Sequence, residues 1–330
     1  MWRFAWIMML SVLAGTAIGA EPEDATSSPL NLPSFTLGGM QLWSDLRVYD
    51  DWRIQRNAMS GHCRLLDSEN VRRSWGSLQE CEQAFAKLQG QGGAKKTATR
   101  AVVTLHGLGA TRRAMEPIGK YLAGNSDFAV INVSYASTRG DFADHAATVR
   151  EVVTHLDGVE ELYFVCHSMG NLVFRQLIED CQHLPEGKKC LSLMKRVVMI
   201  APPNQGAQLA ERLKDMTILE PVVGAAATRL AKQGKEYTSK LPRPPCEFGI
   251  IAGGAGDQAG KNPLLQGDDD LVVRVDETRL AGASDFIMME SKHRALLYDE
   301  TVHEYTLRFL RHGYFVDSKQ RKPIEENGTR

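Results

Sequence analysis

The chain has 330 residues, 43% of them hydrophobic and 24% charged, with a formal net charge of −1. That length and apolar content exclude a disordered tail and allow a full core in one large domain or two small ones. A balance so close to neutral offers no field for nucleic acid or an anionic membrane, so the expected substrate is small or neutral.

Residues 1–20 carry one cation, Arg3, then an apolar stretch from Phe4 to Ile18, then small residues at Ala17, Gly19 and Ala20 ahead of acidic Glu21. This order predicts a secretory signal peptide, cut near Ala20 or after Ala17-x-Gly19, and a secreted or periplasmic protein. The apolar run falls short of the roughly 20 residues of a spanning helix. All six cysteines follow the leader and so reach an oxidising compartment. Cys63 with Cys81 and Cys181 with Cys190 are the expected local disulfides; the alternative is that all are small buried apolar residues. No zinc spacing is present.

Residues 21–40, rich in Pro, Ser, Thr and Gly, predict a linker. An N-terminal extension, 41–98, follows as a hairpin plus a helix. Residues 41–66 alternate as half-buried antiparallel strands, and "WGSLQECEQAFAKLQ" has helical spacing ending at Gly90. Beyond Arg100, short apolar runs at 101–106, 128–135, 162–167, 196–201, 246–253 and 285–290 alternate with helical segments near 113–123, 141–156, 170–180, 206–232 and 297–311. The expected fold class is α/β, a mainly parallel central sheet with helices on both faces.

In "CHSMGN" (166–171), Ser168 lies between the strand 162–167 and a helix starting near Gly170. A serine at such a turn is held in a strained conformation with its hydroxyl clear of the sheet. The usual glycine two residues earlier is Cys166, so the motif is met in relaxed form. "LHGLG" (105–109) closes the first parallel strand, and Leu108 and Met169 are the expected backbone N–H donors to an oxyanion beside Ser168. A serine nucleophile needs a histidine base held by a carboxylate. His293 follows the last strand and is the expected base; His303 and His312 are expected to face solvent and His167 to be a packing residue. In "QGDDDLVV" (266–273), Asp270 adjoins apolar residues and is the expected acid. A solvated acidic turn or a weak calcium site is the alternative. "AGDQAGKN" (255–262) resembles a phosphate loop but lacks the Ser/Thr and the helix.

From about Thr99 to Phe315 the chain resembles the α/β-hydrolases, in their lipase and esterase branch. The residues that carry this are 106–109, 167–171, "APPNQG" (201–206), 267–275 with 278–280, Lys292-His293, and 309–315, leaving 316–330 as a C-terminal tail. Relatives commonly have Asp-Gly before the Val pair where this chain has Asp270-Leu271. The resemblance implies a serine hydrolase that cleaves carboxylic esters through an acyl-enzyme on Ser168, with no metal or organic cofactor. Its substrate would be a small-molecule or lipid ester, with room for transient contact with a membrane or lipid surface and no role for nucleic acid. It also implies that residues around Met216, Ile218, Leu219, Val222 and Val223 line an acyl pocket, core packing being the other reading. The same triad would serve an acyltransferase or thioesterase, and a non-catalytic binding module of the same fold is the remaining alternative.

Overall fold

The structure is a computed structural model and describes residues 34–35, 40–49, 51–89, 98–185, 187–212 and 220–325. The leader at 1–20 and most of the expected linker lie outside the described residues.

The N-terminal part holds β1 (Ser34–Phe35), β2 (Trp43–Tyr49), β3 (Trp52–Asn57), β4 (Cys63–Leu66), β5 (Val71–Gly76) and α1 (Leu78–Gln89). The strands form an antiparallel sheet in the order β1-β5-β4-β3-β2. This is more than the expected hairpin: β5 carries arginines that mask its alternation, and β1 falls inside the expected linker. One face sets Ile54, Cys63 and Leu65 against Cys81 and Phe85 of α1. The other face, on which Asp45 pairs with Gln55 and Gln55 with Arg64, is polar yet buried, because it packs on the rest of the protein. There Asp45 and Ser134 exchange bonds, Asp45 N to Ser134 O at 2.9 Å and Ser134 N to Asp45 Oδ2 at 2.7 Å. α1 starts at Leu78 because Ser77 and Glu80 form a reciprocal cap, Ser77 N to Glu80 Oε2 at 2.6 Å and Glu80 N to Ser77 Oγ at 3.2 Å.

The remainder holds β6 (Arg100–Leu105), α2 (Glu116–Asn125), β7 (Ala129–Val133), α3 (Phe142–Thr154), β8 (Glu161–His167), α4 (Gly170–His183), α5 (Gly187–Leu193), β9 (Met194–Ile200), α6 (Gln208–Arg212), α7 (Glu220–Lys240), β10 (Glu247–Gly253), β11 (Asp285–Met289) and α8 (Glu300–His312). Its six strands are ordered β11-β10-β9-β8-β6-β7 and every pairing is parallel. Alternate residues bury opposite faces: Val103, Phe164, Cys166 and Met199 pack with Phe142 of α3 and Leu172 of α4. Val102, Val165, Val198 and Ile251 pack with Ile118 of α2 and Phe309 of α8. Burial on both faces explains why these strands are apolar throughout rather than alternating.

Three segments differ from the expected pattern. α5 is an added short helix, and the single helix expected over 206–232 is replaced by α6 and α7. The fold also runs past Phe315: Ile324 N bonds Ala283 O at 2.9 Å, Gly282 N bonds Ile324 O at 2.8 Å, and Lys322 N bonds Asp285 Oδ1 at 2.9 Å. The expected tail is therefore in part a strap against the core, anchored by apolar Ile324. Among the described residues no helix is long and apolar enough to cross a membrane.

Candidate active site

Ser168 sits at the tip of β8, the strand between β9 and β6, with a left-handed φ of 54°. For a residue with a side chain this conformation is costly and marks a constrained site. Its amide is held by Ile200 O at 2.9 Å. Gly170 explains the small residue after the serine: a Cβ there would lie 2.5 Å from Leu105 O and 2.8 Å from His106 O. Cys166 needs no such exemption, since its side chain points into the core shared with α3 and α4. The relaxed motif thus keeps glycine where the backbones touch and fills the other position with a buried thiol.

The loop after β6 closes over the serine. A Cβ on Gly107 would come within 3.0 Å of Ser168 Cβ and 3.4 Å of its Oγ. Among the described residues neither Leu108 N nor Met169 N donates a hydrogen bond, which leaves two amides beside the serine free to meet a developing oxyanion. The loop is pinned on several sides. The Tyr135 hydroxyl donates to His106 O, and the two rings stack at 4.1 Å. Gly109 N donates to Ser137 Oγ at 3.1 Å, and Gln41, from the N-terminal part, donates to Gly109 O. Gln41 and Ser137 escape sequence reasoning, because their only signal is a contact made across the fold.

Asp270 and His293 come together. His293 Nδ1 donates to Asp270 Oδ2 at 2.7 Å, which leaves Nε2 as the imidazole's acceptor. The carboxylate is buried, and its other oxygen accepts from Val272 N at 3.0 Å and Val273 N at 2.8 Å. His293 N also bonds Asp270 O at 2.8 Å. The flanking aspartates have separate duties. Asp269 accepts from Lys261 N at 3.1 Å, Asn262 N at 3.2 Å and Leu271 N at 2.7 Å. Asp268 accepts from Ala255 N at 2.5 Å and Gly256 N at 3.1 Å. The phosphate-loop look-alike at 255–262 is therefore wrapped around carboxylates. Leu271 carries the left-handed φ of 89° that glycine would adopt freely.

Two of the other histidines, His167 and His303, depart from expectation. His167 is not simple packing: its Nε2 donates to His293 O at 3.0 Å, and its ring lies 4.7 Å from that of His293. Burial, and then the neighbouring His293, push its pKa well below the usual imidazole range. His303 is buried rather than exposed, because its Nε2 donates to Leu297 O at 2.9 Å; His312 is exposed as expected. Through His167 the loop of His293 is tied to the end of β8, next to Ser168. Among the described residues Ser168 Oγ makes no hydrogen bond to it, and catalytic bonds of this kind commonly tighten only when substrate is bound. Met216, Ile218 and Leu219 lie outside the described residues, as do the side chains of Val222 and Val223.

A family model described as "Domain of unknown function (DUF7379)" matches residues 82–238, a span that contains Ser168 and the 106–111 loop. No curated protein matches. Among solved structures the chain is similar to the mature form of Bacillus licheniformis lipase BlEst2, at 17% identity over 65% of this chain and 91% of that one, TM-score 0.48. The propeptide form of that lipase aligns at 18% identity over 61% of this chain but only 47% of its own length, TM-score 0.47. Phospholipase PlaB from Legionella pneumophila aligns at 17% identity over 55% of this chain and 46% of that one, TM-score 0.43.

Proposed function

We propose that the protein is an exported serine hydrolase that cleaves carboxylic esters through an acyl-enzyme on Ser168. The observation that carries this reading is the 2.7 Å bond from His293 Nδ1 to Asp270, made at the sheet rim where Ser168 is lifted on a strained elbow. His293 Nε2 takes the Ser168 proton as Oγ attacks the ester carbonyl, and Asp270 holds and stabilises the resulting imidazolium. The Leu108 and Met169 amides receive the oxyanion. The imidazolium then protonates the departing alkoxide, and a water activated by the same imidazole releases the acid.

Export is supported by the order of residues in 1–20. Cys63 and Cys81 share the small core under α1, and Cys190 hydrogen-bonds Cys181. No disulfide joins the described cysteines in this structure, and we place both pairs as the bridges that form in an oxidising compartment. The test of the catalytic reading is a serine-reactive phosphonate on the purified protein. A single adduct on the Ser168 peptide, absent in Ser168→Ala, is expected, together with a fall of about 10⁶-fold in kcat on short-chain aryl esters. Equal hydrolysis by parent and Ser168→Ala refutes the assignment.

A further inference from the structure

On the polar face of the N-terminal sheet one buried guanidinium meets no carboxylate among the described residues. Arg64, on β4, is only 5% exposed. Its Nε and one η nitrogen donate to the neutral side-chain oxygen of Gln55 at 3.0 and 2.8 Å. Its plane lies over the Trp43 ring, 3.9 Å from the centroid. Among the described residues it has no carboxylate within 4.0 Å, and its second η nitrogen makes no hydrogen bond. Arg112, in the segment that continues the 106–111 loop, is only 8% exposed. It donates to the neutral Asn70 side chain and pairs with Glu116 at 3.6 Å, and its buried Nε has no partner. Asp45, the carboxylate of this face, is already taken by Arg53 at 2.6 Å, Gln55 at 2.7 Å and Ser134 N.

A buried guanidinium without a counter-charge is expensive, and a protein that keeps one commonly has an anion to meet it. Burial, together with Arg72 and Arg112, pulls the Arg64 pKa down to about 10 against the opposing pull of Asp45. Burial and Arg53 pull Arg112 down to about 10 against the opposing pull of Asp45 and Glu116. Arg64 thus feels Arg72 and Arg112, and Arg112 feels Arg53. The half-buried rings of Trp43, His62 and Trp75 stand at this face, and His62 is edge-on to both tryptophans at 5.4 and 5.0 Å.

We propose that Arg64 and Arg112, with Arg72 beside them, form a binding site for an oxyanion, a phosphate or carboxylate group, at the junction of the N-terminal sheet and the loop that carries Leu108. Planar forks presented by arginine match both groups in a way a lysine would not. Gln41 and Arg112 join that junction directly to the segment that closes over Ser168, so an anion bound there lies beside the ester-cleaving site. As a substrate subsite this deepens the ester-hydrolase reading and rests on it; as an anion site it stands alone.

The first test needs no catalysis. Thermal unfolding of the full mature protein is followed with inorganic phosphate against chloride at matched ionic strength. Phosphate at about ten times its dissociation constant should raise Tm by ~2 °C. In Arg64→Gln and, separately, Arg112→Gln that increment should vanish, while in Arg64→Gln Tm without phosphate stays level or rises because a buried unpaired charge has gone. An increment absent from the parent, or intact in both variants, overturns the site. If one variant fails to fold, the other decides.

The source of the oxyanion is read from two aryl esters that differ only in a terminal carboxylate or its methyl ester. Competitive inhibition by phosphate of the charged ester alone places the anion on the substrate; an equal effect on both makes it a free anion. Phosphate-dependent stability without hydrolysis of either ester leaves the anion site standing and removes the ester-hydrolase reading.

Discussion

His167 donates from Nε2 to the backbone carbonyl of His293 at 3.0 Å, so the residue before the candidate nucleophile anchors the loop that bears the candidate base. A displacement of about 1 Å at a reacting group can cost ~10²-fold in rate. His167→Ala should therefore lower kcat about 10–100-fold with a smaller change in KM, since the imidazole of 293 loses its tether and not its partner Asp270. His167→Asn, which keeps a donor, should recover part of the loss. Steady-state kinetics on one aryl ester separates this positioning role from general destabilisation, which would lower active-enzyme concentration without recovery by Asn.

Buried imidazoles should make the fold acid-sensitive. Burial lowers His106 and His145 to about 4, and His167 lies well below its usual range. In the unfolded chain each takes up its proton near pH 6.5. From there down to about 4 the unfolded state binds protons that the folded state refuses, so stability falls as pH falls, by about 1.4 kcal/mol per pH unit for each fully engaged group. Above about pH 6.5 the three contribute no slope. Thermal melts near neutrality and near pH 5 should show a large drop for the parent and a smaller one for His145→Gln. Parallel curves for the two proteins would discard this account.

The main sheet was readable because each strand is buried on both faces, which writes "LYFVCH" or "RVVMIA" as an uninterrupted apolar run. The N-terminal sheet was less so. Its inward face carries Asp45, Arg53, Gln55 and Arg64, and such residues read as solvated until a second layer is seen to cover them. The same limit hid His303, whose burial depends on the Leu297 carbonyl. At the candidate site, the order of elements let Asp270 and His293 be paired in advance, as the 2.7 Å bond between them has it, and which of three aspartates meets the imidazole depends on loop hydrogen bonds. Gln41 and Arg112 could not be read at all, because each matters through a partner distant along the chain.

The cysteines offer a test of the compartment. If the protein is exported, chain recovered from outside the cytoplasm and denatured without reductant should react with a thiol reagent only at Cys166 and Cys246. Peptide mapping should then join Cys63 to Cys81 and Cys181 to Cys190. Closing loops this short is worth about 3 kcal/mol each, so reduction should lower Tm visibly. Six reactive thiols in exported protein would rule out the bridges.

Two glycine substitutions separate a required glycine from an incidental one. Gly170→Ala places a methyl 2.5 Å from Leu105 O and 2.8 Å from His106 O. These are backbone atoms at the end of β6 that cannot swing away, and overpacking of this kind costs about 1–3 kcal/mol. Gly124, in α2, has open space where a methyl would stand, so Gly124→Ala should stabilise by up to ~1 kcal/mol. Urea denaturation midpoints should move in opposite directions.

Asp270→Asn asks whether the buried carboxylate acts through charge and tautomer or only as a brace for its loop. The Val272 and Val273 amides can still reach the remaining oxygen, at 3.0 and 2.8 Å in the parent, so the loop should hold. What changes is the partner of His293 Nδ1, 2.7 Å away. An amide turned with its oxygen to Val272 and Val273 presents an NH₂ to that nitrogen, which must then accept, moving the imidazole proton to Nε2 where the serine's proton has to go. The expected result is a fall of about 10⁴-fold in kcat with the parent's fold and an unchanged far-UV spectrum. Because the rest of the protonation chemistry stays in place, part of the activity should return at high pH, where hydroxide can replace the missing base. A loss of less than about tenfold would mean that Asp270 serves the loop alone.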